Sequence, residues 1–336
     1  MKHTEQPMQA LMRMINGFQV SQAIHVAATL GIADLLRDGP RGHDDLASAT
    51  GTDPGGLYRL LRALAAVGVF EEGPERTFSL TPISEHLCTD SPASAAGWAK
   101  LIGQAYFWNT WGRLLKGVET GKNVFPQLHG EGVWTWRARD TELSRIFDDA
   151  MTSRSSMSSR QVIEAYDLSA FSVIVDVGGG RGRFLTDILT ANPGVRGILF
   201  DQPHVVSDEL LKAAGMADRT AVVGGSFFES VPAGGDAYVL RAIIHDWEDT
   251  ESIAILSNVR KAIPPNGRLL LVEQVVGPPN GEPMTKFSDL NMLVLPGGRE
   301  RTEEEFAGLY EASGFRLERV VRTAPDGMCV VEGVPV

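Results

Sequence analysis

The stretch that most constrains this chain is Val173-Ile174-Val175-Asp176-Val177-Gly178-Gly179-Gly180-Arg181-Gly182. Its β-branched run is too short for a helix and reads as a buried parallel strand. The run carries an acid, and four glycines follow within five positions. Phe184-Leu185-Thr186-Asp187-Ile188-Leu189 then continues at helical spacing, so the unit is strand, tight loop, helix. Glycines let a backbone come close to a ligand, and a helix N-terminus turns free N–H groups toward it.

Two cofactor classes use such a loop. A dinucleotide fingerprint needs G-x-G-x-x-G, but Arg183 stands where the third glycine should be. Gly178, Gly180 and Gly182 instead give G-x-G-x-G, with Asp176 two residues upstream. That form, D-V-G-G-G-x-G, resembles motif I of the S-adenosylmethionine (SAM) methyltransferases.

From Val173 onward strand and helix alternate. Strands are predicted at Val173–Val177, Gly197–Phe200, Thr220–Val223, Ala237–Leu240 and Leu269–Val272. Helices are predicted near Phe184–Ala191, Val205–Ala214, Thr250–Ala262 and Thr302–Ser313, the last opened by the capping box Thr302-Glu303-Glu304-Glu305. Phe315–Arg322 and Met328–Gly333 flank the turn signal Pro325-Asp326-Gly327. The class is α/β: a Rossmann-like, doubly wound, mostly parallel seven-stranded sheet with an antiparallel last strand.

On this map Asp176 and Glu273 end strands, while Asp201, Ser226 and His245 come just after three others. Ligands of open α/β sheets bind outside the carboxyl ends of the strands, so the five form one constellation. Asp201 lies 23 residues beyond Gly178, the position of an acid that meets ribose hydroxyls. Ser226-Phe227 offers an adenine a hydrogen bond and an apolar face; Arg241 either flanks that site or makes a surface salt bridge. His245, with an ordinary pKa near 6.5, can accept a proton at neutral pH. Glu273 or Glu300 can fix its tautomer, and Glu300 can alternatively pair with Arg299 or Arg301. Without a second histidine at ligand spacing, no metal is expected.

The chain has 336 residues, enough for two domains, and a formal charge of −11, which argues against nucleic acid or an anionic membrane surface. Cys88 and Cys329 are its only cysteines, too few for a disulfide framework. No apolar run is long enough to span a membrane and no signal-peptide pattern opens the chain, so a cytoplasmic protein is expected.

The first third reads as a helix over Gln9–Leu30, short helices over Ile32–Leu36 and Asp44–Ala49, and a helix opened by Asp53-Pro54. Val69–Gly73 and Thr77–Thr81 follow as a hairpin. This outline is a winged helix, which raises DNA binding. Its recognition helix carries only Arg59 and Arg62 as cations, and Arg76 is the segment's one other, so packing or dimerisation is the favoured use. The middle is aromatic: five of the six tryptophans lie between Trp98 and Trp136. Such a cluster serves as core or as a wall for a flat substrate. Trp108, Met151 and Asn291 are the candidate substrate contacts, and Ser155 is a candidate for a cofactor carboxylate.

Leu30–Leu36, Asp176–Gly182, Phe200–His204, His245–Trp247 and Pro296–Thr302 together resemble the small-molecule O-methyltransferases, the class of plant caffeate and bacterial antibiotic-tailoring enzymes. The resemblance covers nearly the whole chain. It implies a dimerisation domain over residues 1–95, a helical linker and pocket segment over 96–160, and a SAM-binding domain over 161–336. It also implies a homodimer, SAM held by Ser155, Asp176, Gly178, Gly180, Asp201, Ser226, Phe227 and Arg241, and S-adenosylhomocysteine as product. His245 becomes the general base, flanked by Glu273 and Glu300, acting on a hydroxyl of a small aromatic metabolite. Two positions depart from the pattern: Ser226 where relatives often carry aspartate, and Arg241 where plant members usually carry lysine. A phenol (pKa about 10) is a poor nucleophile until a base takes its proton. The alternatives are a relative that binds SAM without transferring methyl, a nicotinamide oxidoreductase, and a winged-helix regulator.

Overall fold

The computed structural model describes residues 6–91, 94–324 and 327–336; the side chains of residues 154–158 lie outside that description, as does the predicted turn at Pro325-Asp326. Two compact units form, one from Met1–Asn109 and Thr141–Met157, the other from Thr110–Asp140 and Ser158–Val336.

In the first unit the expected helix over Gln9–Leu30 is two helices, Pro7–Ile15 and Gly17–Thr29. Asn16 has ψ at 0° and a glycine follows, so the hydrogen-bond ladder breaks between them. Helices Ile32–Leu35, His43–Thr50 and Pro54–Ala66 come next, the last capped by Asp53, whose carboxylate accepts from Gly56 N at 2.7 Å. Leu57, Leu61 and Leu64 occupy one face of that helix and are buried with Ile32, Leu46, Phe70 and Phe78. Each such side chain contributes roughly 1.5–3 kcal/mol by leaving water. Strands β1 (Arg41–Gly42), β2 (Phe70–Glu72) and β3 (Thr77–Leu80) pair in the order β1-β3-β2. The hairpin was legible; the two-residue β1 was too short to be. Arg62 and Arg76 both lie over the ring of Tyr58, at 5.5 and 4.6 Å, which turns two of the three local cations to packing.

The second unit is built on seven strands: β4 (Val173–Val177), β5 (Arg196–Asp201), β6 (Thr220–Gly224), β7 (Ala237–Arg241), β8 (Arg268–Glu273), β9 (Phe315–Arg322) and β10 (Cys329–Pro335). Their order is β6-β5-β4-β7-β8-β10-β9, parallel from β6 to β8, with the last strand β10 antiparallel to both neighbours. Both faces of the central strands β4, β7 and β8 are buried. Val175, Val177, Tyr238, Leu240, Leu269 and Leu271 feed one core, and Ile174, Val239, Leu270 and Val272 the other. Period-two strands covered on both sides therefore read as unbroken apolar runs. From β4 the chain goes outward to β5 and β6, then crosses back to β7, so the strand order switches at β4. Such a switch opens a crevice at the carboxyl ends.

Two helices differ from expectation. The predicted Val205–Ala214 is helical only over Glu209–Ala213, because Gln202 O accepts from Val205 N and Val206 N and closes a turn there. Pro283–Val294 is a helix that was not predicted, and it matters to the site.

Candidate active site

The loop after β4 is shaped by Gly178, Gly180 and Gly182, at φ of 75°, 58° and 77°. L side chains resist that region. The N–H groups of Gly178 and Gly179 donate to Phe200 O at 2.8 and 3.2 Å, which ties the loop to β5. A Cβ on Gly178 would lie 2.5 Å from Ile243 Cδ1, whereas one on Gly180 would meet nothing within 4 Å. Gly180 thus faces open space. Its N–H donates to Asp201 Oδ2 at 2.8 Å, and Gln202 N donates to Asp201 Oδ1 at 2.6 Å, so the carboxylate is set beside the loop.

Asp176 takes a different place. It is 1% exposed and lies beneath the loop, where a Cβ on Gly179 would approach its Oδ2 to 2.5 Å. Burial raises its carboxyl to about 7, against the pull of Arg241 and with a further push from Asp201. Arg241 is half-buried, its guanidinium 5.1 Å from the centre of the Phe184 ring. After β6, Ser226 Oγ accepts from Phe228 N at 3.3 Å and shapes the turn that presents Phe227. Asn258 Nδ2 donates to Phe227 O and Phe228 O at 2.9 and 3.0 Å. Asn258 was not picked out from the sequence; it sits in a helix and gives no signal there beyond its amide.

The acid–base cluster forms where β7 ends. Ala242 has φ of 52°, an uncommon left-handed turn for alanine, and it reverses the chain into the short 3-10 turn Ile244–Asp246. Glu273, closing β8, accepts from Ile243 N and Ile244 N through Oε1 at 3.0 and 2.8 Å. His245 then points Nδ1 at Glu300 Oε1, 2.9 Å away, with Glu273 Oε2 at 3.7 Å. Its Nε2 is 3.7 Å from Asp246 Oδ1, beyond hydrogen-bond reach. Glu300 therefore faces the imidazole, while Arg299 pairs with Glu248 at 3.3 Å and Arg301 with Asp249 at 2.8 Å.

Four residues support this cluster in ways that the sequence did not show. Arg301, 1% exposed, donates to Ile244 O at 3.1 Å and Trp247 O at 2.9 Å, the carbonyls on either side of the His245 turn. Gly298 has φ of 67°, and a Cβ there would lie 2.4 Å from His245 O and Trp247 N, so only glycine lets the two loops meet. Ser288, on the unpredicted helix, donates its hydroxyl to Glu300 Oε1 at 2.6 Å, and Asp289 accepts from Glu300 N at 3.0 Å.

Burial by itself would strip the proton from His245, but Glu300, Glu273 and Asp246 outweigh it and push the imidazole up to about 10. Burial raises Glu273 to about 7, against the attraction of His245 and with the repulsion of Glu300. Among the described residues, His245, Glu273 and Glu300 bring one ligand-capable atom each within 4.8 Å of one another. The shortest pair is ring to carboxylate at hydrogen-bond distance, an arrangement that holds a proton.

The substrate candidates divide between the units. Asn291 Oδ1 accepts from Trp111 Nε1 at 3.1 Å, one helical turn beyond Ser288. Trp108 belongs to the first unit, edge-on to Phe18 at 6.4 Å, and Met151 lies half-buried on the part of helix Thr141–Ala165 that belongs to the same unit. The side chain of Ser155 lies outside the described residues.

Residues 111–316 match the family model of the O-methyltransferase domain, and residues 12–90 match the O-methyltransferase dimerisation domain. The chain belongs to the O-methyltransferase family. Phenazine O-methyltransferase PhzM of Lysobacter antibioticus is 43% identical over 329 residues, 97% of this chain and 96% of the relative. The crystal structure of LaPhzM superposes with a TM-score of 0.94 at 41% identity, covering 99% of this methyltransferase and all of that chain. An O-methyltransferase from neocarzinostatin biosynthesis, solved with SAM and 2-hydroxy-5-methyl naphthoic acid, gives 0.79 at 31% identity, covering 94% of this chain and 96% of that one. Among the described residues, no helix of this methyltransferase is long and apolar enough to cross a membrane.

Proposed function

We propose that this methyltransferase moves the methyl group of SAM to a hydroxyl of a small aromatic secondary metabolite, with His245 as general base. The observation that carries the reading is the orientation of His245. Its Nδ1 is tied to Glu300 at 2.9 Å, which leaves Nε2 as the nitrogen offered to an acceptor.

The residues beside the glycine loop fit SAM. Gly180 leaves its side of the loop open, and Asp201 stands at the end of β5 with its carboxylate already oriented by backbone N–H groups. Asp201 would hold the ribose, Gly178 and Gly180 would let the cofactor approach, and Ser226, Phe227 and Arg241 would frame the adenine. Asp176 acts from below, by supporting the loop. Ser155 remains assigned to the cofactor by the family resemblance alone. When bound, SAM supplies an electrophilic methyl on a sulfonium and is left as neutral S-adenosylhomocysteine.

The chain's own residues then handle one proton. His245 Nε2 takes it from the acceptor hydroxyl, so the O–H bond breaks as the O–CH3 bond forms. The imidazolium that results is stabilised by Glu300 and Glu273. A ring held up to about 10 has nearly the proton affinity of a phenolate, so transfer from a phenol costs little. The same strong hold keeps nearly all of the ring protonated at neutral pH, so turnover rises as pH rises. Trp108, Met151 and Asn291 remain assigned to the flat acceptor by the sequence alone.

A cytoplasmic homodimer completes the reading. Met8, Leu11, Met12, Met14 and Ile15 are all exposed on the helix Pro7–Ile15, an apolar surface of the kind that a second copy covers. The test is a panel of aromatic hydroxy compounds incubated with methyl-labelled SAM. Label recovered on oxygen supports the reading; SAM bound tightly with no label moved to any of them counts against it.

A further inference from the structure

Ser288 sits in the interior of the helix Pro283–Val294. A serine there normally turns its hydroxyl back to its own helix. This one reaches out of the helix instead and donates to Glu300 Oε1 at 2.6 Å. The same oxygen lies 2.9 Å from His245 Nδ1. Two donors thus share one carboxylate oxygen. Among the described residues Ser288 hydrogen-bonds Glu300 and not His245, so its effect on the ring passes through Glu300.

We propose that Ser288 is a positioning residue for proton transfer, sharing Glu300 Oε1 with the imidazole and so loosening that carboxylate's hold on the His245 proton. This rests on His245 being the base. A hydrogen bond to an anion spreads and stabilises its charge. The carboxylate then attracts the neighbouring imidazolium less. The two effects oppose each other: Glu300 and Glu273 make the ring a strong enough base for a phenol, and Ser288 limits how tightly its proton is held.

Other charges face the same cluster and are common to every variant considered. Glu273 approaches from β8, Asp246 from the His245 turn itself, and Asp289 from the helix of Ser288. Arg299 and Arg301 flank Glu300 but are turned to Glu248 and Asp249. Removing the Ser288 hydroxyl alters none of these directly.

The test is the titration of the His245 ring, followed by its nitrogen chemical shifts and identified by comparison with His245→Gln. The pH dependence of kcat/KM is recorded alongside for the wild type, Ser288→Ala and Ser288→Thr. Alanine is the better helix former, so Ser288→Ala leaves the helix sound. The expected result is a His245 midpoint raised by about half to one pH unit in Ser288→Ala. The acid limb of kcat/KM should move with it, SAM affinity should stay unchanged, and Ser288→Thr should restore both. Coincident ring titrations in wild type and Ser288→Ala would overturn the proposal while His245→Gln still reports on the base. A ring midpoint that moves with no change in kcat/KM, together with turnover retained by His245→Gln, would remove the base reading and this proposal with it.

Discussion

The Nδ1 atom of His245 lies 2.9 Å from Oε1 of Glu300, while the nearer oxygen of Glu273 on that side stands at 3.7 Å. The two carboxylates therefore have different work. Glu300 bonds the ring; Glu273 spends its other oxygen on Ile243 N and Ile244 N, which holds the turn carrying the histidine.

That division predicts unequal variants. In Glu300→Gln the amide can donate to Nδ1, which moves the ring proton to Nε2 and blocks the base. Turnover should fall roughly 10²–10⁴-fold. In Glu273→Gln the amide oxygen still accepts both backbone N–H groups, and only a more distant charge is lost. The fall should be about tenfold. Steady-state kcat for the two variants at saturating SAM decides it, and equal losses would refute the division.

Gly298 predicts a geometric failure. Alanine there must adopt φ of 67° and place its Cβ 2.4 Å from backbone atoms of His245 and Trp247. The strained dihedral alone costs about 1–3 kcal/mol, and the clash pushes the Glu300 loop away from the ring. Gly298→Ala should lower the thermal midpoint and abolish turnover, whereas Gly308→Ala, with nothing within 4 Å of its Cβ, should leave turnover intact.

Asp176 predicts a pH dependence of stability. Its folded carboxyl is raised to about 7, above the unfolded value, so the native state holds a proton that the unfolded chain has already lost. The stability this contributes is fully present below about pH 4 and is lost as pH rises through about 7. Asp176→Asn cannot ionise. Denaturant unfolding should show the variant gaining on the wild type from pH 5 to pH 8, by a few kcal/mol at most; parallel curves would contradict the assignment.

The sheet and its chemistry were legible in the sequence for one physical reason. A parallel strand covered on both faces is mostly apolar, so Val173–Val175 and Leu269–Val272 stand out, and the acids that follow, Asp176 and Glu273, mark the carboxyl ends. Asp201 and His245 were placed that way, and the structure sets both at that edge. Asp176 was placed by the same logic but lies under the loop, since periodicity does not say which side of the turn a side chain takes. Ser288 and Asn258, and the carbonyls that Arg301 holds, were invisible because such partners are oxygens far along the chain, and no local pattern encodes such pairs. The break at Asn16-Gly17 lay in plain view, yet apolar spacing ran across it and masked the glycine.

Methyl transfer by His245→Gln is the most direct test of the central claim. Labelled SAM and an accepted aromatic hydroxy compound would be followed in a single turnover, beside the wild type, with SAM affinity measured for both. The expected result is unchanged SAM affinity and transfer slowed by roughly 10²–10⁴-fold, with the residual rate following the acceptor's own ionisation and no longer that of the ring. Transfer at the wild-type rate, with the wild-type pH dependence, would contradict the assignment of His245 as the base.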